Sequence, residues 1–111
     1  MEKEEEKKPI APEAGMGATI MLFSDRLACT VIKVSRNGTK VSVRRDRATR
    51  LDSNGMSDSQ VYKYERDPQG VIYEFSLRGN GLWTELGQSV GPGAVWLSLG
   101  SRFEYYDYSF I

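Results

Sequence analysis

Histidine is absent from the 111 residues, cysteine occurs once, and no apolar run approaches the ~20 residues that a membrane-spanning helix needs. Each absence removes a class of chemistry. Without imidazole the commonest general base and metal ligand is missing, so triads built on histidine are impossible and Cys29 alone cannot assemble a thiolate–imidazole zinc site. A single cysteine cannot close an internal disulfide, and the chain opens on charged rather than apolar residues. The expectation is therefore a reducing compartment, the cytoplasm, with no membrane association. An excess of either charge is lacking too: 15 Lys and Arg balance 15 Asp and Glu. No long-range field steers the chain toward polyanions, and any electrostatic argument has to be local.

Other chemistry is excluded by spacing. The glycine-rich stretch 87–93 lacks the lysine and following hydroxyl of a phosphate-cradling Walker loop. Asp52-Ser53-Asn54-Gly55 resembles the start of a calcium loop, but the position that would carry the bidentate glutamate is Lys63. Cys29, between Ala28 and Thr30 in an expected strand, reads as a buried inert thiol. The residue inventory thus predicts no catalytic residues, no metal and no cofactor.

What is present divides the chain in two. Residues 1–14 hold Glu2, Lys3, Glu4, Glu5, Glu6, Lys7 and Lys8, then Pro9 and Pro12, and read as a disordered charged tail that cannot offset its own ordering entropy. Residues 15–111 read as one small domain, with short apolar stretches punctuated by glycine and asparagine and no sustained helical period. The firmest element is a hairpin centred on Asn37-Gly38, a dipeptide suited to a type I′ turn. That register sets Ser35 against Lys40, Val34 against Val41, Lys33 against Ser42 and Ile32 against Val43, pairing branched residues with one another. Further strands are expected at residues 18–23, 60–66, 71–77, 82–86 and 94–99. The turn Asp67-Pro68-Gln69-Gly70 should return the chain, with its glycine in the left-handed position, and Arg78-Gly79-Asn80-Gly81 should do the same. Six or seven short strands leave no room for a helical layer, so the sheet has to cover itself. The expected fold is all-β, a small curled antiparallel barrel.

The opening Gly17-Ala18-Thr19, the strand with Thr30-Val31-Ile32 and its hairpin partner resemble the first strands of Tudor- and KOW-like small barrels. A longer pattern comprises Gly17-Ala18-Thr19, Ser24-Asp25-Arg26, Thr30-Val31, Asp46, Asp52 to Ser57, Gln60 with Tyr62 and Tyr64, Leu99-Gly100 with Arg102, and Tyr106-Asp107-Tyr108-Ser109-Phe110. It resembles a family of small hypothetical proteins of bacteriophages and bacterial genomes. The resemblance implies no particular activity or cofactor. A mobile-element setting implies host interaction or nucleic-acid binding, in the host cytoplasm.

Two binding modes follow from the residues themselves. Arg26, Lys33, Arg36, Lys40, Arg44, Arg45, Arg47 and Arg50 form a basic stretch in which Asp46 is the only acid between residues 26 and 50. Phosphates would relieve its self-repulsion, with Tyr62, Tyr64 and Trp83 as stacking platforms; the partner is then a nucleic acid or an anionic nucleotide. The glutamates of the tail would compete for the same arginines. Alternatively the cations are solvated or paired elsewhere, and a protein partner, a host factor or a second copy, docks on an edge strand or on Tyr105, Tyr106, Tyr108 and Phe110. Those aromatics would equally serve to seal the barrel. Ser24-Asp25-Arg26 and Arg45-Asp46-Arg47 read as loop-like groups that shape a binding surface or form structural ion pairs.

Overall fold

Alternating apolar residues on short strands bury one face of a sheet, and here that sheet closes on itself. The computed structural model describes residues 10–89, 91 and 93–108. Its strands are β1 Gly17–Met21, β2 Arg26–Val34, β3 Lys40–Arg45, β4 Arg47–Arg50, β5 Tyr62–Glu65, β6 Ile72–Leu77, β7 Trp83–Glu85 and β8 Trp96–Leu99. The fold is all-β, as the sequence predicts. Six strands form a closed antiparallel barrel in the order β1-β2-β3-β6-β7-β8, with β8 returning to β1, while β4 and β5 form a separate two-stranded ribbon. Closure leaves the barrel no free edge to pair with another chain. Among the described residues no helix is long and apolar enough to cross a membrane.

The interior is filled by Ala18 and Ile20 of β1, Cys29 and Val31 of β2, Val41 and Val43 of β3, Phe75 of β6, Trp83 of β7 and Leu97 of β8. Each follows the two-residue period of its strand. Burying a side chain of this size stabilises the fold by about 1.5–3 kcal/mol, so Phe75, Ile20, Leu97, Val31 and Val43, all at most 2% exposed, anchor the barrel.

The β2–β3 hairpin keeps the expected register at its tip, with Val34 opposite Val41 and Lys33 opposite Ser42. Further down it departs from expectation. Val31, not Ile32, opposes Val43, because a bulge between Val31 and Lys33 inserts Ile32 as an unpaired residue and leaves it 37% exposed. A bulge raises local twist and bends the strand, which a closed six-stranded sheet demands. The turn also differs from type I′. Gly38 has φ 75°, but Asn37 does not lie at positive φ. The backbone NH of Gly38 donates to the Ser35 carbonyl at 2.9 Å and that of Ser35 to the Lys40 carbonyl at 2.8 Å, so residues 36–39 form the loop. Asn37 acts through its side chain instead: Oδ1 accepts from Thr39 Oγ1 at 2.8 Å and Ser35 Oγ at 2.9 Å.

A second correction concerns residues 60–77. They do not fold back on each other as a hairpin. β5 pairs with β4 and β6 with β3, one pairing nested within the other. From Arg44↔Ile72 to Arg47↔Glu65 the chain advances three residues on one side and seven on the other. The excess is absorbed by the Asp67-to-Gly70 turn, where Gly70 NH donates to the Asp67 carbonyl at 2.9 Å. Gly70 is not at positive φ; a Cβ there would collide with the carbonyl oxygen of Arg45, so the glycine permits close approach of two backbones.

Candidate anion-binding face

Strand alternation splits the basic stretch before any ligand is considered. On β3, Val41 and Val43 point inward, so Lys40, Ser42 and Arg44 point outward, and Arg45 falls at the barrel end. There its guanidinium grips Glu104 through two parallel bonds, Nη1 to Oε1 at 2.8 Å and Nη2 to Oε2 at 2.7 Å. Glu104 Oε1 also accepts from the Ala28 backbone NH at 2.9 Å. Beside this pair Asp46, 3% exposed, accepts from Thr30 Oγ1 and from Arg102 Nε, both at 2.7 Å. Arg50 donates to Asp52 Oδ2 at 2.9 Å and to the Tyr108 hydroxyl at 3.1 Å. Hydrogen bonds from that guanidinium and from the Val61 and Asn54 backbone hold the Asp52 carboxyl well below the usual carboxylate range. Arg26 caps the Leu22 and Asp25 carbonyls. Arg26, Arg45 and Arg50 are therefore structural groups, and Arg47 stands exposed with Asp67 at 3.7 Å.

Of the three stacking platforms expected from the sequence, Trp83 is buried and Tyr62 and Tyr64 are half-buried with their hydroxyls bonded within the fold. Trp83 lies in the core at 8% exposure, the Tyr62 hydroxyl donates to Gln60 Oε1 at 2.8 Å, and the Tyr64 hydroxyl accepts from the Glu104 backbone NH at 3.2 Å. The C-terminal tyrosines are tied down too. Tyr105 exchanges two 2.9 Å backbone bonds with Arg26 and its hydroxyl donates to Asp58 at 2.6 Å. The Tyr106 backbone pairs with the Gln60 amide, and the Tyr106 and Tyr108 rings meet edge to face at 4.7 Å. Phe110 lies outside the described residues, as do residues 1–9 with Glu2, Glu4, Glu5 and Glu6 of the tail.

Lys33, Lys40 and Arg44 remain, outward on adjacent strands, and none has a carboxylate within ion-pair distance among the described residues. Arg36 stands exposed in the loop that joins those strands. Lys33 and Lys40 border a shallow cleft of about 310 Å³ with Ser35, Ser42 and Glu74, the last of which accepts from Ser42 Oγ at 3.4 Å. Arg44 borders a second cleft of about 360 Å³ together with Arg66, a cation that sequence reasoning missed because it lies outside the basic stretch. Glu104 was missed for a similar reason, and Arg102, present in the motif pattern, carried no sign of its partner, since the partners of these two residues lie 59 and 56 residues away. Burial pushes the Cys29 thiol up to about 12, with Asp46 adding to the shift, so Cys29 is no thiolate at neutral pH.

Fold and site together define a small closed six-stranded antiparallel barrel with a cationic outer face on β2 and β3. Comparison with protein-family models, with curated proteins and with solved structures finds no match.

Proposed function

We propose that this chain is a non-enzymatic binding module that takes nucleic-acid phosphates on the outer face of β2 and β3. The observation that carries the reading is the sorting of the cations. Arg45, Arg102 and Arg50 are neutralised by Glu104, Asp46 and Asp52, whereas Lys33, Lys40 and Arg44 share one face with no carboxylate in ion-pair distance among the described residues, Glu74 nearby bonding Ser42 instead. The Ser35 and Ser42 hydroxyls beside the two lysines already donate to Asn37 Oδ1 at 2.9 Å and Glu74 Oε2 at 3.4 Å, so the face would meet phosphate through its cations. With Tyr62, Tyr64 and Trp83 held in the fold, recognition rests on phosphates rather than on base stacking, and so has little sequence preference.

Fluorescence anisotropy with a labelled oligonucleotide across a salt series tests this. Affinity should fall with a log–log slope of about −0.7 to −0.9 per phosphate contacted. Each of Lys33→Gln and Lys40→Gln should reduce that slope by about one phosphate's share. Binding that ignores salt, or that survives the double substitution unchanged, overturns the reading.

A further inference from the structure

We infer that the cleft between Arg44 and Arg66 is a site for a phosphate monoester, the terminal phosphate of a nucleotide or of a nucleic-acid end. This deepens the proposed function and rests on it, because Arg44 belongs to the same outer face. Arg44 Nε is the one buried side-chain nitrogen or oxygen among the described residues that lacks a hydrogen-bond partner. A buried donor without an acceptor is costly, and a charged one more so. Arg66, which also lines the cleft, has no carboxylate in ion-pair distance among the described residues; its guanidinium donates to the Gly15 carbonyl at 3.5 Å.

The acids in the cleft wall do not serve these two arginines. Asp46 is engaged by Thr30 and Arg102, and Asp67 accepts from the Gln69 backbone NH at 3.0 Å and faces Arg47. Thr30 Oγ1 donates to Asp46 and accepts from Arg102 Nη2 at 2.8 Å. The donors left for an incoming group are therefore guanidinium N–H groups, whose fork matches the oxygens of a phosphate. The remaining wall is apolar. The β2 bulge takes Ile32 out of the ladder, and Ile32 and Pro68 both line this cleft, so an uncharged part of the ligand has a surface to lie on. At about 360 Å³ the cleft is at the lower end of small-molecule sites, the size of one nucleotide unit rather than a length of strand.

The full chain should be titrated with two oligonucleotides of one sequence, one carrying a 5′-phosphate and one a 5′-hydroxyl, and with AMP against adenosine. The Arg Nε–H resonances are followed by NMR. The phosphorylated oligonucleotide should bind about tenfold tighter, the worth of an added charge-assisted hydrogen bond, and the Arg44 Nε–H signal should shift. Arg44→Gln should erase that preference, and so should Arg66→Gln, whose exposed position keeps the test valid if the first variant is unstable. Lys33→Gln/Lys40→Gln should weaken both oligonucleotides and keep the preference. Equal binding of the two oligonucleotides, still sensitive to the lysines, overturns the monoester site and leaves the face standing. Arg44-dependent binding of AMP but not adenosine, with neither oligonucleotide bound, supports the site with a mononucleotide ligand and overturns the face. No binding of any probe overturns both.

Discussion

Replacing Glu104 with alanine tests the part of the fold that joins the C-terminal segment to the barrel. The Glu104 side chain is 10% exposed, accepts two bonds from Arg45 and satisfies the Ala28 backbone NH. Removing one partner of a fully buried pair costs about 3–5 kcal/mol, mostly by leaving the other charge uncompensated. Arg45 keeps 26% of its side chain in contact with water and has two further acceptors, the Ala28 and Asp46 carbonyls at 3.2 Å. That places Glu104→Ala nearer 2–3 kcal/mol, roughly 10–20 °C in Tm for a domain of this size. Urea unfolding followed by the fluorescence of the buried Trp83 reads it directly. The double variant Arg45→Met/Glu104→Leu removes the orphaned charge and should recover part of the loss. It should not recover all, because the Ala28 NH stays without an acceptor, a deficit of about 1–3 kcal/mol. If Glu104→Ala costs no more than ~0.5 kcal/mol, the level of an exposed substitution such as Glu65→Ala, the clamp is decorative and the reasoning fails.

Three further outcomes follow from the same fold. Gly70→Ala should lose about 1–3 kcal/mol because its Cβ meets the Arg45 backbone, whereas Gly79→Ala, with open space around it and no positive φ, should be neutral or slightly stabilising in the same urea unfolding assay. The Cys29 thiol should resist a disulfide reagent at mildly alkaline pH and react stoichiometrically once urea unfolds the chain. Its folded pKa of about 12 lies above the ordinary 9.0, so its contribution to stability is whole below pH 9 and is lost as pH rises toward 12. The hydrogen bond from Tyr105 to Asp58 pushes the Tyr105 phenol up to about 12 from 10.0, and burial also raises Tyr62 and Tyr64, so a tyrosinate absorbance titration should show a late-ionising group that includes Tyr105. Its stabilisation is present below pH 10 and declines toward pH 12; Asp58→Asn should return that step toward the ordinary value.

Much of the fold was legible because period-two alternation is a strong local signal. Val34 opposite Val41 and Lys33 opposite Ser42 can be read from residues 33–42 alone. The bulge was not, because Val31 and Ile32 are both branched and apolar, and the choice of which faces the core is made by barrel closure rather than by local pattern. Asp67-Pro68-Gln69-Gly70 has the composition of a hairpin turn, and composition does not distinguish a turn that ends a strand from one that bulges out of it. The fates of the arginines were hidden for a different reason. Asp46 pairs with Arg102 and Arg45 with Glu104 across most of the domain, and nothing near residue 45 announces the partner.

Four consecutive residues, Arg44-Arg45-Asp46-Arg47, show why a count of cations overstates an electrostatic footprint. Arg44 sits on the outward register of β3 opposite Thr30 and Ile72, while Arg45, one step on, lies opposite Cys29 at the barrel end and is neutralised by Glu104. Asp46, buried in the cleft wall, bonds Thr30 and Arg102, and Arg47 opens the ribbon opposite Glu65. The ion pair and the cleft meet at Thr30, which lines the Arg44 cleft while its hydroxyl is committed to the Asp46–Arg102 pair. A ligand in that cleft gains nothing by competing for Thr30, since taking its proton would strand a buried carboxylate. The cleft therefore offers guanidinium donors without a hydroxyl, and a group dense in acceptor oxygens satisfies it better than a neutral polar one.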